Sequence, residues 1–291
     1  MEKNLSFNVG LGRRLIFFLC ATVFCFAIGS LLVSVLVYLK GMTPAMMRIS
    51  AVMQDVIVFI APSLITAVII TRLPAKFLAI ESKPKGKIWI LACLILILSL
   101  PAMNSLISWN ESIELPSALK GIEEGMRNAE ARAQESVNLL IGGDSVGAII
   151  VSILIVGVLA GLSEELFFRG TMQRLLTTGG VNVHVAIWVV AFIFSATHLQ
   201  FYGFFARLLL GAYFGYLLYW TRCLWIPVIV HVFNNSVYIL GNRFVGNGAE
   251  ELNINNVGVD SVWLVLLSIV LTVVGLVLLR KQTLKGSQSR I

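Results

Sequence analysis

The sequence predicts an all-α fold, a polytopic membrane helix bundle of about eight transmembrane helices. Three observations predict it. Of 291 residues, 58% are hydrophobic and only 13% charged, whereas a soluble domain is nearer half apolar and a quarter charged. The apolar residues come in long uninterrupted runs, as bilayer spans require. Cations gather at the ends of those runs, where they orient helices in a membrane. The formal charge of +7 is therefore not a nucleic-acid signal; no basic–aromatic patch or nucleic-acid motif occurs, and no nucleic-acid partner is expected.

The expected spans are Leu15–Leu39, Ile49–Thr71, Ile88–Met103, Val146–Phe168, Val183–Leu199, Phe204–Tyr219, Leu224–Leu240 and Ser261–Leu279. The first is too long for a signal-peptide core and lacks a small-residue cleavage site, so it reads as retained. The third and sixth fall short of the roughly 20 residues a crossing needs and must extend through their flanks. Cys20, Cys25, Cys93 and Cys223 lie in or beside apolar runs without a CxxC pair, and read as small buried hydrophobes.

Eight crossings place Arg13, Arg14, Arg72, Lys76, Lys83, Lys85, Lys87, Arg222, Arg280, Lys281, Lys285 and Arg290 on one side. The positive-inside rule makes that side cytoplasmic and puts both termini there. Lys40, Arg48 and Arg243 run against it, and Lys120, Arg127 and Arg132 lie in the long third connection, too far from the span ends to weigh much. The loops opposite carry Asp144, Glu250, Glu251 and Asp260, which have little orienting weight. The expected location is a bacterial inner (plasma) membrane, with the lipid bilayer as a partner. Between spans three and four, Leu119, Ile122, Met126, Ala129, Ala133, Val137 and Leu140 step by three and four, an amphipathic helix. It reads first as a surface helix and second as a lid. Gln54 and Asp55, near the outer end of the second span, read as interfacial. The chain divides near residue 145: residues 1–145 hold three spans and the amphipathic loop, and residues 146–291 the polar constellation and a last span.

That constellation starts where the fourth run meets Glu164 and Glu165. Paired carboxylates there are costly and are functional suspects, although solvated helix-end charges would read the same. Glu165 and Arg169, four apart, share a helix face and can pair; Glu164 points about 100° away. His198 ends the fifth run, and His231 and Asn235 share one face of the seventh. His184 reads as interfacial. A carboxylate with an imidazole can hold and deprotonate water, and a second imidazole with an amide can stabilise an oxyanion. Ser163 lacks the GxSxG elbow of a serine nucleophile. The pairs Gly157/Gly161 and Gly211/Gly215 form GxxxG, which lets helices approach closely. If the fourth helix stopped at Phe168, Glu164 and His198 would sit at opposite faces. The helix is therefore expected to continue to about Leu176, before Gly179-Gly180.

Three motifs carry a resemblance to a known family. They are EExxxR at Glu164–Arg169, FxxxH at Phe194–His198 and HxxxN at His231–Asn235. Residues 146–240 resemble the CAAX-protease and bacteriocin-processing (CPBP, or ABI) membrane proteins. The resemblance implies an intramembrane glutamic endopeptidase acting on a membrane-bound or lipidated peptide, either prenylated and CAAX-type or bacteriocin-like. It implies Glu164 and His198 as the water-activating pair, His231 and Asn235 as the oxyanion side, and Glu165, Arg169 and Phe194 as supporting residues. Members have been labelled metalloendopeptidases. Two His and a Glu are a set zinc can use, but the glutamic mechanism needs no metal, and no cofactor is expected. Two other readings stay open: a non-enzymatic binding or immunity protein using the same polar cavity, and a transporter with a proton relay.

Overall fold

The computed structural model describes residues 10–41, 43–84, 86–143, 145–246 and 257–288. Lys85, Asp144, Glu250, Glu251 and Arg290 lie outside them, as do the side chains of Arg243 and Lys285. The described residues are 84% helical, with no strand among them. The bundle comprises α1 (Leu11–Lys40), α2 (Pro44–Ile70), α3 (Ile88–Glu111), α4 (Lys120–Ile141), α5 (Val146–Thr178), α6 (Val183–Thr197), α7 (Phe204–Thr221), α8 (Trp225–Gly246) and α9 (Val262–Gln288). By length and composition α1, α2, α3, α5 and α9 can each cross a membrane; α6, α7 and α8 occupy the other three expected spans. Helices are required because hydrocarbon satisfies no backbone N–H or C=O. The amphipathic α4 is not among the helices apolar enough to cross.

α5 lies between α2 and α8, and the α6–α7 hairpin packs along its second half. α3 and α9 pair on the outside against α7 and α8, and α1 covers α2. The outward faces of α1 and α9 expose Leu19, Phe24, Leu31, Trp263 and Leu267, the surface a bilayer would cover. Pro101 interrupts α3 and removes one backbone donor. Ser268 of α9 repairs the gap: its hydroxyl donates to the Leu98 carbonyl at 2.6 Å and accepts from the Ala102 N–H at 3.3 Å.

Two features set the depth of the site. First, α5 runs 33 residues to Thr178, past Phe168, as the depth argument requires. Glu164 and His198 then stand about 21 and 22 Å from the same end of the bundle at 1.5 Å per residue. Second, α5 winds with wider π turns at Ile153–Leu159 and Leu166–Gln173, on both sides of the Glu pair. α2 does the same at Gln54–Ile60, opposite. Such turns recur at functional sites because they re-aim side chains.

The connection after α2 packs under that end. The Phe77 carbonyl accepts from Arg174 Nε at 2.8 Å, and the Ala79 carbonyl from the Leu224 N–H at 3.0 Å. At the opposite end, α4 straps the bundle. Arg48 of α2 donates to the Leu140 and Gly142 carbonyls at 3.2 and 2.7 Å, closing the C-terminus of α4. Glu130 accepts from Gln200 in the α6–α7 turn at 3.1 Å, and Arg127 lies over the Tyr202 ring.

Candidate active site

The site is built on a buried ion pair. Glu165 and Arg169 have no exposed side-chain surface, and Oε1 of Glu165 accepts from Arg169 Nη1 at 2.7 Å. The (i, i+4) spacing brings them together, and burial makes the pairing obligatory, since an isolated guanidinium in an apolar interior is very costly. Arg169 also donates through Nη2 to the Gly211 carbonyl at 2.9 Å. A Cβ at 211 would stand 3.2 Å from Cα of Ala191 and 3.1 Å from the Phe194 ring, so α7 approaches α6 this closely because residue 211 is glycine. One turn on, Gln173 repeats the contact with the Gly215 carbonyl at 3.1 Å. The α7 GxxxG pair thus seats an α5 ladder of Arg169 and Gln173 as well as α6.

The ion pair holds His231. Its Nδ1 bonds the same Oε1 of Glu165 at 2.9 Å. A carboxylate only accepts, so Nδ1 carries the hydrogen and Nε2 is the nitrogen left for chemistry. Phe214 stacks on the imidazole with centroids 4.8 Å apart, and Phe194 meets it edge-on at 6.1 Å. Phe194 is the hub of this aromatic cluster: its ring also carries the Arg169 guanidinium at 4.5 Å and contacts His198 at 5.0 Å.

Glu164 faces away from the ion pair, as the 100° step per residue demands. Its Oε2 is 3.8 Å from His231 Nε2, and its side chain keeps 17% of its surface open. His198 follows the last residue of α6 and donates Nδ1–H to the Phe194 carbonyl at 2.7 Å; in the neutral ring Nε2 therefore offers a lone pair. It lies within electrostatic range of Glu164 and His231. Leu199, in the left-handed region at φ 55°, reverses the chain there, and Ser195 Oγ, donating to the Phe204 carbonyl at 2.7 Å, staples α7 to α6. Asn235 donates Nδ2–H to the Val156 carbonyl of α5 at 3.0 Å, which leaves one amide hydrogen. Close passage of α8 over α5 comes from Gly161, where a Cβ would stand 3.2 Å from the Val232 nitrogen. His184 stands apart near the bundle end, bonded to Tyr216 at 2.9 Å.

The structure corrects two sequence-based expectations. Cys20, expected to be buried like Cys25, Cys93 and Cys223, is exposed on α1. Asp55, expected at the interface, is 5% exposed, and its Oδ1 accepts from Ser163 Oγ at 2.8 Å, next to Glu164. The contact joins residues 108 apart in the chain, so no local spacing announces it. Phe214, equally central, was not singled out because an apolar helix offers many phenylalanines. Among the described residues, no three His, Cys, Asp or Glu side chains converge as metal ligands. Both histidine Nδ1 atoms are already committed, and Glu165 is committed to Arg169.

Comparison with family models matches residues 146–237 to the type II CAAX prenyl endopeptidase Rce1-like family, in agreement with the resemblance carried by the three motifs. The match takes in α5 to the middle of α8, and with them Glu164, Glu165, Arg169, Phe194, His198, His231 and Asn235. Neither the curated proteins nor the solved structures gave a match.

Proposed function

We propose that this chain is a glutamic intramembrane endopeptidase that hydrolyses a membrane-associated, lipidated peptide. The observation that carries the reading is the meeting of three helices at Glu164. His231 Nε2 stands 3.8 Å from Glu164 Oε2 while Nδ1 is fixed by Glu165, and His198 approaches from α6. The Rce1-like match over the same helices supports a peptidase.

In this mechanism a water lies between Glu164 and Nε2 of His198. Glu164 takes its proton as the oxygen bonds to the scissile carbonyl carbon. The oxyanion is met by the remaining amide hydrogen of Asn235 and, when His231 carries a second proton, by its Nε2–H. Glu164 then returns the proton to the departing amine nitrogen as the C–N bond breaks. Glu165 and Arg169 position His231 and do not touch substrate. The lipid of the peptide would lie along the apolar helix faces, and a prenylated CAAX-type peptide and a bacteriocin-like peptide both fit that chemistry.

The test is cleavage of prenylated and unprenylated membrane peptides by the full chain in nanodiscs. Glu164→Gln lowers kcat at least about a thousandfold with the melting temperature unchanged, and the wild type retains activity with a zinc chelator. Equal turnover by Glu164→Gln removes the reading, and a cellular phenotype indifferent to that substitution would favour a binding role.

A further inference from the structure

We infer that Asp55 of α2 is a positioning residue of this site, a second carboxylate that orients Glu164 and sets the electric field in which it works. The inference rests on reading Glu164 as the base. Asp55 is buried where α2 crosses α5, its Oδ1 takes the Ser163 hydroxyl at 2.8 Å, and Glu164 is the next residue. Asp55 and Glu164 lie within electrostatic reach of one another.

The chemistry of the contact argues for more than packing. A serine hydroxyl needs only an acceptor, and an asparagine, a glutamine or a backbone carbonyl would hold α2 to α5 equally well. A carboxyl group adds a titratable site to a low-dielectric interior, where its charge is costly. No cation offsets that cost: among the described residues no guanidinium or ammonium pairs with Asp55. Arg48, on the same helix, is committed to the Leu140 and Gly142 carbonyls. Arg169 pairs with Glu165, which also holds His231. The charged and titratable groups near Glu164 are thus Glu165, Arg169, His198 and His231 on one side and Asp55 alone on the α2 side. Two carboxylates linked through one buried serine can influence each other's proton occupancy. That places Asp55 where it can govern how Glu164 receives and returns the proton of the water. Asp55 lies in the π turn of α2, Gln54–Ile60, and α5 widens into a π turn at Leu166–Gln173 just after the Glu pair.

The experiment separates charge from bracing. Asp55→Asn keeps an oxygen for Ser163 and removes the charge; Asp55→Leu removes both. Each full-length variant in nanodiscs is read three ways: melting temperature, kcat and KM on a prenylated peptide, and the rate at which dicyclohexylcarbodiimide, which attacks protonated carboxyls, labels Glu164 by mass spectrometry. Asp55→Asn is expected to melt with the wild type, to lose about tenfold in kcat at unchanged KM, and to change the Glu164 labelling rate at least about threefold. Asp55→Leu also lowers the melting temperature. Wild-type kcat and labelling in a folded Asp55→Asn overturn the inference. If Asp55→Asn does not fold, Ser163→Ala, which frees the carboxylate from its tether, must change the labelling rate, and an unchanged rate overturns it. A wild type that cleaves no peptide would defeat the peptidase reading, while the labelling comparison would still decide the action of Asp55 on Glu164.

Discussion

At the scale of single residues, one carboxylate oxygen organises the site. Oε1 of Glu165 receives both Arg169 Nη1 and His231 Nδ1. Glu165→Gln removes the negative charge between two fully buried donors and leaves the guanidinium uncompensated. It should cost about 3–5 kcal/mol, read as a lower melting temperature in detergent, and turnover should fall with it because the His231 ring is no longer fixed. An unchanged melting temperature would mean that the pair contributes nothing to the fold. The sequence made the Glu165–Arg169 pair legible because both partners sit on one helix at a spacing that geometry converts directly into contact. The link from Glu165 to His231 spans 66 residues, and no local spacing announces it. Asp55 gave no hint either: a lone carboxylate near a predicted helix end is ordinarily interfacial, and its buried partner is a serine far along the chain.

At the scale of elements, the hairpin of α6 and α7 positions His198 by close approach and not by bulk. Gly211→Ala puts a methyl group 3.2 Å from the Ala191 Cα, a backbone atom that cannot swing aside, and 3.1 Å from Phe194. The hairpin must open, at about 1–3 kcal/mol, and Phe194 and His198 move with it. The expected result is a lower melting temperature together with a fall in kcat. Gly121→Ala in α4, where a Cβ meets nothing within 4 Å, is the matched control and should leave both unchanged or raise stability slightly through helix propensity. If the two substitutions behave alike, the close packing of α6 on α7 does not hold the site. The GxxxG spacing was readable from sequence, but its partners were not. That Gly211 also supplies a carbonyl to Arg169 follows from the rotation of α5, which its π turns alter and which a regular 3.6-residue period does not describe. The length of α5 was legible for another reason: only a helix running on toward Gly179 brings Glu164 to the depth of His198.

At the scale of the whole molecule, the cations divide the bundle unequally. Arg13, Arg14, Arg72, Lys76, Lys83, Lys87, Arg222, Arg280 and Lys281 stand at the end where α1 begins. At the α4 end, three cations are bound into the fold: Arg48 to α4 carbonyls, Arg127 to Glu123 at 2.7 Å, and Arg207 to Gln200 at 3.0 Å. On the positive-inside rule we propose that the α4 end, and with it the turn that follows His198, faces away from the cytoplasm. The consequence bears on substrate. A CAAX-type peptide finished in the cytoplasm would have to reach the site through the bilayer, whereas an exported bacteriocin-like peptide would meet it from the α4 side. Single cysteines at Ser82 and Ala118, in a chain whose four native cysteines are replaced by serine or alanine, report the orientation. In intact cells a membrane-impermeant maleimide is expected to label Ala118→Cys and to spare Ser82→Cys until the membrane is opened. The reverse pattern would overturn the orientation and place the α4 strap, with Glu130 holding Gln200 beside His198, over an entrance that faces the cytoplasm.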